Sequence, residues 1–177
     1  MTSHSLKPFS NPPSPFSIIV ETLLERDHLK FDFTLTGDIT TLNLPSPAEN
    51  PKRTEGLYHH TCFEIFLKRG IHYFEWNFSF TGNWCVFEFE DYRVPAQTKN
   101  NLGSHLFSLS HLSHGATAAS MKVSIPINEI SLIGKEKLQL GISAVLEHPK
   151  GILSYWALNH PHTQPDFHHP KSFIELL

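Results

Sequence analysis

Carboxylates at strand-like spacing are the first residues in this sequence that could do chemistry. Glu64 lies in HTCFEIFL, Glu75 in YFEWNFSF and Glu88 in WCVFEFE. An even-length loop after HTCFEIFL predicts that the three carboxylates line up across neighbouring strands. Because like charges that face each other destabilise a sheet, this row needs compensation unless it splays into water. The candidates are a cation, a histidine, a proton held on one carboxyl, and the arginines Arg53, Arg69 and Arg93.

An amide and two tryptophans are predicted to share the face of this row. Pairing Ser79 with Trp84 around the Thr-Gly turn places Trp84 and Asn77 beside the glutamates. A four-residue HPKG loop pairs Ser143 with Trp156, which puts Trp156 on the polar face as well. The same register predicts a core side made of Leu140, Ile142, Ala144, Leu146, Leu153, Tyr155 and Ala157. Aromatic rings stack on sugar C–H faces while Glu and Asn bond hydroxyls, so the face suits sugar recognition.

The C-terminal HPHTQPDFHHP segment supplies further polar groups, namely His160, His162, Asp166, His168 and His169. These are ligand types for zinc and other transition metals. However, the segment has no HExxH motif, and its prolines prevent a helix that would bring histidines together. We interpret it as a proline-fixed loop that brings Asp166, His168 or His169 over the carboxylates and forms the lip of a binding face.

The two cysteines offer little chemistry. His60, Cys62 and Glu64 alternate along one strand, and such residues lie roughly 7 Å apart, too far for a thiol–base pair. Cys62 and Cys85 have no CxxC spacing, so neither a disulfide framework nor a zinc ribbon is predicted. A half-buried structural cysteine at position 62 is the expectation.

Alternating apolar residues predict the elements that must position these groups. In HLKFDFTLTG, Leu29, Phe31, Phe33 and Leu35 alternate with polar residues, and similar runs recur along the chain. With 14 phenylalanines and no convincing long amphipathic helix, the expected fold is all-β, an antiparallel two-sheet sandwich of immunoglobulin-like or jelly-roll-like type. Residues 1–15 are expected to be a flexible lead-in, and 16–177 a single domain.

Charge and hydropathy argue against two classes of partner, nucleic acids and membranes. A net charge of −3 provides no basic field for a nucleic-acid backbone. No apolar run approaches the length of a membrane span, and residues 1–15 lack the apolar core of a signal peptide. We therefore expect a cytoplasmic protein with neither nucleic-acid nor membrane partners; the sequence leaves its oligomeric state open.

Several segments together resemble the bacterial DOMON-like proteins, relatives of DOMON domains and of family-nine carbohydrate-binding modules. They are HTCFEIFL, YFEWNFSFTGNW, EDYR, ISAVLE and LSYWALNHPHTQPDFHHPKSF. The resemblance covers most of the chain from about residue 16. It implies a β-sandwich whose ligand site, on one sheet face or at its rim, binds sugars in some members and haem in others. Haem-binding relatives use methionine with histidine or lysine as axial ligands, and beyond Met1 this chain has only Met121.

These observations predict a non-catalytic β-sandwich that binds a carbohydrate or a similar small polar ligand on one sheet face and requires no cofactor. One alternative is a redox module or enzyme that holds haem or a divalent metal with the histidine-rich loop. Another is a scaffold whose aromatic face is a protein interface. The predicted ligand-binding residues are Glu64, Glu75, Asn77, Trp84, Glu88, Arg93, Trp156, His160, Asp166, His168 and His169.

Overall fold

The protein is an all-β sandwich of antiparallel strands, as its sequence predicts. The computed structural model describes residues 1–9, 14–97, 102–130, 132 and 135–176. The first sheet has the strand order β1–β2–β3–β9–β8. Its strands are β1 (Thr2–Pro8), β2 (Ser17–Glu25), β3 (His28–Thr36), β8 (Ser108–His114) and β9 (Ala118–Pro126).

The second sheet has the order β7–β6–β5–β4–β10–β11, and β12 pairs with the start of β10. Its strands are β4 (Cys62–Arg69), β5 (His72–Ser79), β6 (Trp84–Asp91), β7 (Val94–Pro95), β10 (Gln139–His148), β11 (Ile152–Ala157) and β12 (Ile174–Glu175). Within the described ranges the only helices are single 3-10 turns, and none is long and apolar enough to cross a membrane.

The main core lies between the two sheets. The alternating residues of β3 are all buried, as predicted, and the ring of Phe33 stacks on that of Phe63 from β4 at a centroid distance of 4.7 Å. The even-length loop predicted between β4 and β5 is confirmed, because Arg69 pairs with His72 around residues 70 and 71. As predicted, the core face of both strands is apolar. That face consists of Phe63, Ile65, Leu67, Phe74, Trp76 and Phe78.

The second sheet is covered on both faces. Nearly every residue of β4, β5 and β10 is buried, including those that point away from the main core. A separate cluster of Phe66, Tyr73, Phe89 and Phe173 packs on this outer face. The polar residues of the outer face therefore lie in a largely dry environment, where their charges and hydrogen bonds matter more than they would in water.

The N-terminal residues differ from the expected flexible lead-in. Thr2–Pro8 form β1, in which Leu6 is buried and pairs with Ile18 of β2. The end of β1 also pairs with β11, so this strand connects the two sheets. One buried leucine and pairing with two strands hold the segment in place. A single apolar residue gives no alternating pattern that would have predicted a strand in this proline-rich part of the sequence. Residues 10–13 lie outside the described part of the chain.

The predicted register of the β5–β6 hairpin is wrong by one residue. Phe78, rather than Ser79, pairs with Trp84. The loop contains three residues, 80–82, and closes through Gly82 at a φ of +83°, with the Ser79 N–H donating to the Asn83 carbonyl. Because a one-residue slip reverses every side chain, β6 turns Val86 into the core and Phe87 to the outer face.

The β10–β11 hairpin has the same kind of correction. Its loop is the three-residue turn Pro149–Gly151, with positive φ at Lys150 and Gly151. Val145 consequently pairs with Tyr155, and Ala144 pairs with Trp156. The β10 side of the predicted core is confirmed, whereas Tyr155 points outward and Trp156 is a core residue.

Candidate ligand-binding cleft

A cleft of ≈ 500 Å³ opens on the outer face of the second sheet. The sheet forms its floor, the 3-10 turn Leu57–His59 forms one wall, and the loop between β11 and β12 forms another. It is lined by Tyr58, His59, Glu64, Glu75, Phe87, Phe89, Arg93, Pro95, Val145, Leu153, Tyr155, Pro165, Phe167 and His168.

Two buried glutamates lie in the floor. Glu64 on β4 pairs directly with Asn77 of β5, so Glu75 sits diagonally from Glu64 rather than opposite it. The Ser143 hydroxyl donates to Glu64 Oε2 at 2.7 Å, and the Asn77 amide donates to Glu75 Oε1 at 2.8 Å. The thiol of Cys62, also buried, lies 3.7 Å from Asn77 Oδ1. Asn77 therefore helps to orient the Glu75 carboxyl in the floor.

Burial keeps these carboxyl groups partly protonated near neutral pH. Burial and then the charge of Glu75 raise the pKa of Glu64 to about 8, against a hydrogen bond from Ser143 that lowers it. Burial raises the pKa of Glu75 to about 7, while the Asn77 amide and the charge of Arg93 lower it. A proton held on one carboxyl is one of the compensations that the sequence led us to expect.

A chain of hydrogen bonds fixes His168 above Glu75. The backbone N–H of Arg93 donates to the Tyr73 hydroxyl at 3.0 Å, and the same hydroxyl is hydrogen-bonded to His168 Nδ1 at 2.8 Å. The other ring nitrogen, His168 Nε2, lies 3.6 Å from Glu75 Oε2. Burial and the charge of Arg93 lower the pKa of His168 to about 4, although Asp166 opposes this.

Asp166 anchors the loop that carries His168. Its carboxylate accepts hydrogen bonds from the Tyr92 hydroxyl at 2.6 Å, the Arg93 guanidinium at 2.9 Å and the His168 backbone N–H at 3.2 Å. Partial burial raises the pKa of Asp166, but hydrogen bonds from Tyr92 and Arg93 outweigh it and hold that pKa below its usual value. The charge pair thus joins the β6–β7 turn to the C-terminal loop.

Aromatic rings form much of the remaining surface. Tyr73 stacks on Phe89 at 4.6 Å, and Phe89 meets the edge of His168 at 5.2 Å. The rings of Tyr155 and Phe167 are tilted against each other with centroids 6.2 Å apart, and Phe87 lines another part of the cleft, from β6. These rings give the cleft flat apolar surfaces beside a polar floor, the composition typical of small-molecule sites.

The structure brings together about half of the residues predicted from sequence. Glu64, Glu75, Arg93 and His168 line the cleft. Asn77 supports its floor and Asp166 anchors its loop, neither of them in the lining.

Three predicted residues lie on the opposite face, because both hairpins slip by one residue. Trp84 packs on Phe107 at 5.1 Å, Glu88 bonds to His72 at 2.9 Å, and Trp156 is buried in the main core. The predicted row of three glutamates is therefore wrong, and only its first two members share a face.

His160 and His169 hold the backbone instead of lining the cleft. His160 Nε2 donates to the Lys7 carbonyl at 2.8 Å, which ties the loop to β1. His169 Nδ1 accepts the Lys171 backbone N–H at 3.1 Å. Among the described residues, no group of three or more His, Cys, Asp or Glu side chains could hold a metal ion.

Sequence reasoning missed most of the aromatic lining. The sequence predicted the strands of Phe87, Phe89 and Tyr155 correctly but assigned these residues to the core face. Three-residue loops at both hairpins, instead of loops of two or four residues, would have placed them on the polar face. The residues that could have indicated three-residue loops are the glycines that end them, Gly82 and Gly151, both of which have a positive φ. Tyr58 and His59 lie in a turn that no periodic pattern marks.

No protein-family model and no curated protein matches this chain. Its fold is similar to several solved structures. A family-nine carbohydrate-binding module from Caldicellulosiruptor kristjanssonii, in complex with cellotriose, aligns with a TM-score of 0.57 and 8% identity over 89% of this chain and 72% of that one. The module in complex with glucose aligns with a TM-score of 0.51 and 8% identity over 82% and 68%.

A candidate carbohydrate-binding protein from Bacteroides uniformis aligns with a TM-score of 0.59 and 11% identity, over 97% of this chain and 84% of that one. Similarity at this level of identity concerns the fold alone. The chain therefore has the β-sandwich fold of family-nine carbohydrate-binding modules, and its resemblance to DOMON-like proteins stays a prediction.

Proposed function

We propose that this protein is a non-catalytic carbohydrate-binding domain whose ligand occupies the cleft on the outer face of the second sheet. The observation that carries the proposal is the pairing of buried hydrogen-bonding carboxyls with aromatic walls in one cleft of ≈ 500 Å³. Sugar hydroxyls would bond to Glu64 and Glu75, and sugar C–H faces would pack on rings such as Tyr155 and Phe167.

The comparison with solved structures supports a sugar ligand. The structural neighbours include a module in complex with cellotriose and with glucose, so this fold accommodates sugars in at least one other protein.

The proposal is tested by isothermal titration calorimetry with a panel of neutral mono- and oligosaccharides. We expect Glu75→Gln to weaken binding about tenfold or more, because it removes a charged acceptor. Tyr155→Ala should weaken binding about fivefold through lost ring contact. The matched controls are Glu90→Gln and Ile152→Ala, whose side chains are exposed outside the cleft. A panel that gives no binding, or equal losses in the controls, would contradict the proposal.

A further inference from the structure

Each floor glutamate keeps one carboxylate oxygen without a hydrogen-bond donor. Glu64 is 2% exposed, and its only donor in the described chain is the Ser143 hydroxyl, which bonds to Oε2. Glu75 is 5% exposed; its Oε1 accepts from Asn77, while Oε2 lies 3.6 Å from His168 Nε2, beyond hydrogen-bond distance. Both residues line the cleft, so these two oxygens can accept hydrogen bonds from a ligand.

The cations of the cleft do not balance this pair. The guanidinium of Arg93 is already bonded to Asp166, and burial lowers the pKa of His168 to about 4, which leaves the imidazole neutral near pH 7. The other titratable groups facing the floor are Cys62 and Tyr73, whose pKa values burial raises, together with His59, Tyr58 and Tyr155 from the rim. Cysteine and tyrosine side chains carry no positive charge, and His59 is exposed at the rim, away from the buried floor.

The walls also suit a positive charge. Phe87, Phe89, Tyr155 and Phe167 line the same cleft as the carboxyls, with Tyr58 at its edge. The face of an aromatic ring attracts an ammonium group, and this attraction grows when water is excluded. A buried acidic pair framed by rings therefore provides both a charge partner and an apolar surface for one ligand.

We infer that the cleft selects ligands that carry a protonated amine, with the ammonium group bonded to Glu64 and Glu75 and the ring of the ligand against the aromatic walls. Amino sugars are then the preferred carbohydrate class. The sugar part of this inference rests on the proposed function, whereas the amine part rests on the buried glutamate pair and the aromatic walls of the cleft.

Binding of an ammonium group should release protons. The raised pKa values of Glu64 and Glu75 mean that the empty cleft holds part of a proton near pH 7, and a bound ammonium favours the ionised form of both carboxyls. The carboxyl proton passes to the buffer. A neutral ligand does not favour the ionised carboxyls, so the release of protons, measured from the variation of the apparent binding enthalpy with the ionisation enthalpy of the buffer, should accompany the binding of amines only.

The experiment compares two matched ligand pairs by calorimetry at pH 7 with the whole chain. Glucosamine and glucose differ by the amine on a sugar, and cyclohexylamine and cyclohexanol differ by the amine on an apolar ring. N-acetylglucosamine removes the charge while keeping the nitrogen. We expect each amine to bind about tenfold or more tighter than its neutral partners, with proton release.

Variants locate the effect. Glu64→Gln and Glu75→Gln should each abolish the preference for amines and the proton release, whereas Glu90→Gln, an exposed position on β6, should leave both unchanged. Because the ligand series is measured on the unaltered protein, the test does not depend on whether a variant folds. A preference that survives both floor variants overturns the inference.

The outcomes separate the two proposals. If glucose and glucosamine bind equally, the inference falls and the proposed function stands. If cyclohexylamine binds more tightly than cyclohexanol and no sugar binds, the inference stands and the proposed function falls. If no compound binds, both are overturned.

Discussion

Tyr73 connects the β6–β7 turn to the C-terminal loop at the edge of the cleft. Its hydroxyl accepts from the Arg93 backbone N–H and is also hydrogen-bonded to His168 Nδ1. The same environment raises the pKa of Tyr73 to about 12, with burial as the largest cause, so the hydroxyl keeps its proton. His168 Nε2 lies 3.6 Å from Glu75 Oε2, where it can form a hydrogen bond with a ligand hydroxyl.

The glutamate pair and His168 should leave opposite signatures in the pH dependence of stability. Glu64 and Glu75 have folded pKa values of about 8 and about 7, above the ordinary 4.5, so the folded protein binds more protons than the unfolded chain in that window. Their contribution to stability is full below about pH 4.5 and is lost as the pH rises. His168, lowered from 6.5 to about 4, contributes stability that is lost as the pH falls through that range.

Between pH 6.5 and 8 the glutamates contribute most of the slope of these three groups, because the unfolded chain loses the last of its His168 proton early in this interval. We expect the free energy of unfolding, measured with urea, to fall across this interval by about 1–3 kcal/mol. Glu64→Gln and Glu75→Gln should each flatten the decline, and the exposed Glu90→Gln should not. A decline of the same size in all four proteins would show that the pair is not the cause.

Hairpin loops decide which side chains reach the cleft. Both hairpins close with three residues and a glycine of positive φ, at Gly82 and Gly151. These loops turn Phe87 and Tyr155 outward, and Val86 and Trp156 into the core. A two- or four-residue loop at either place would bury the aromatic lining and expose core residues instead.

Gly82→Ala should therefore destabilise the protein by about 1–2 kcal/mol. An alanine there must adopt a φ near +83°, and its Cβ would lie 3.0 Å from the Pro51 side chain. Gly115→Ala is the matched control, because Gly115 has no positive φ and the nearest atom to an alanine Cβ at that position would be 4.0 Å away. Equal urea midpoints for the two variants would argue against this account of the loop.

Alternation alone predicted the strands and the inner faces of β3, β4, β5 and β10, because a period of two reports which side is apolar. It could not set the register across a hairpin when both candidate faces carry aromatic residues. In β6, Phe87 and Phe89 looked like core, whereas Val86 and the flanking Trp84 occupy that side. The outer face of this sheet is itself buried, so hydrophobicity did not distinguish inside from outside.

At the scale of the molecule, the second sheet forms the main core with one face and the floor of the cleft with the other. Its inner face packs against the first sheet to form the main core, and its outer face is covered by the C-terminal loop and the 3-10 turn Leu57–His59. Asp166 and Arg93 hold this cover in place, and His160 ties it to β1. The cleft lies in the gap that the cover leaves, which explains why residues distant in sequence line it.

The central claim, that the ligand binds in this gap, is tested most directly by mapping chemical-shift changes on the ¹⁵N-labelled protein during titration with the tightest-binding sugar of the panel. We predict that the largest changes occur at Glu75, Tyr155 and His168 in the cleft. Residues such as His111 and Lys122, on the outer face of the first sheet, should stay unchanged. Changes concentrated on the first sheet, with the cleft unaffected, would contradict the account.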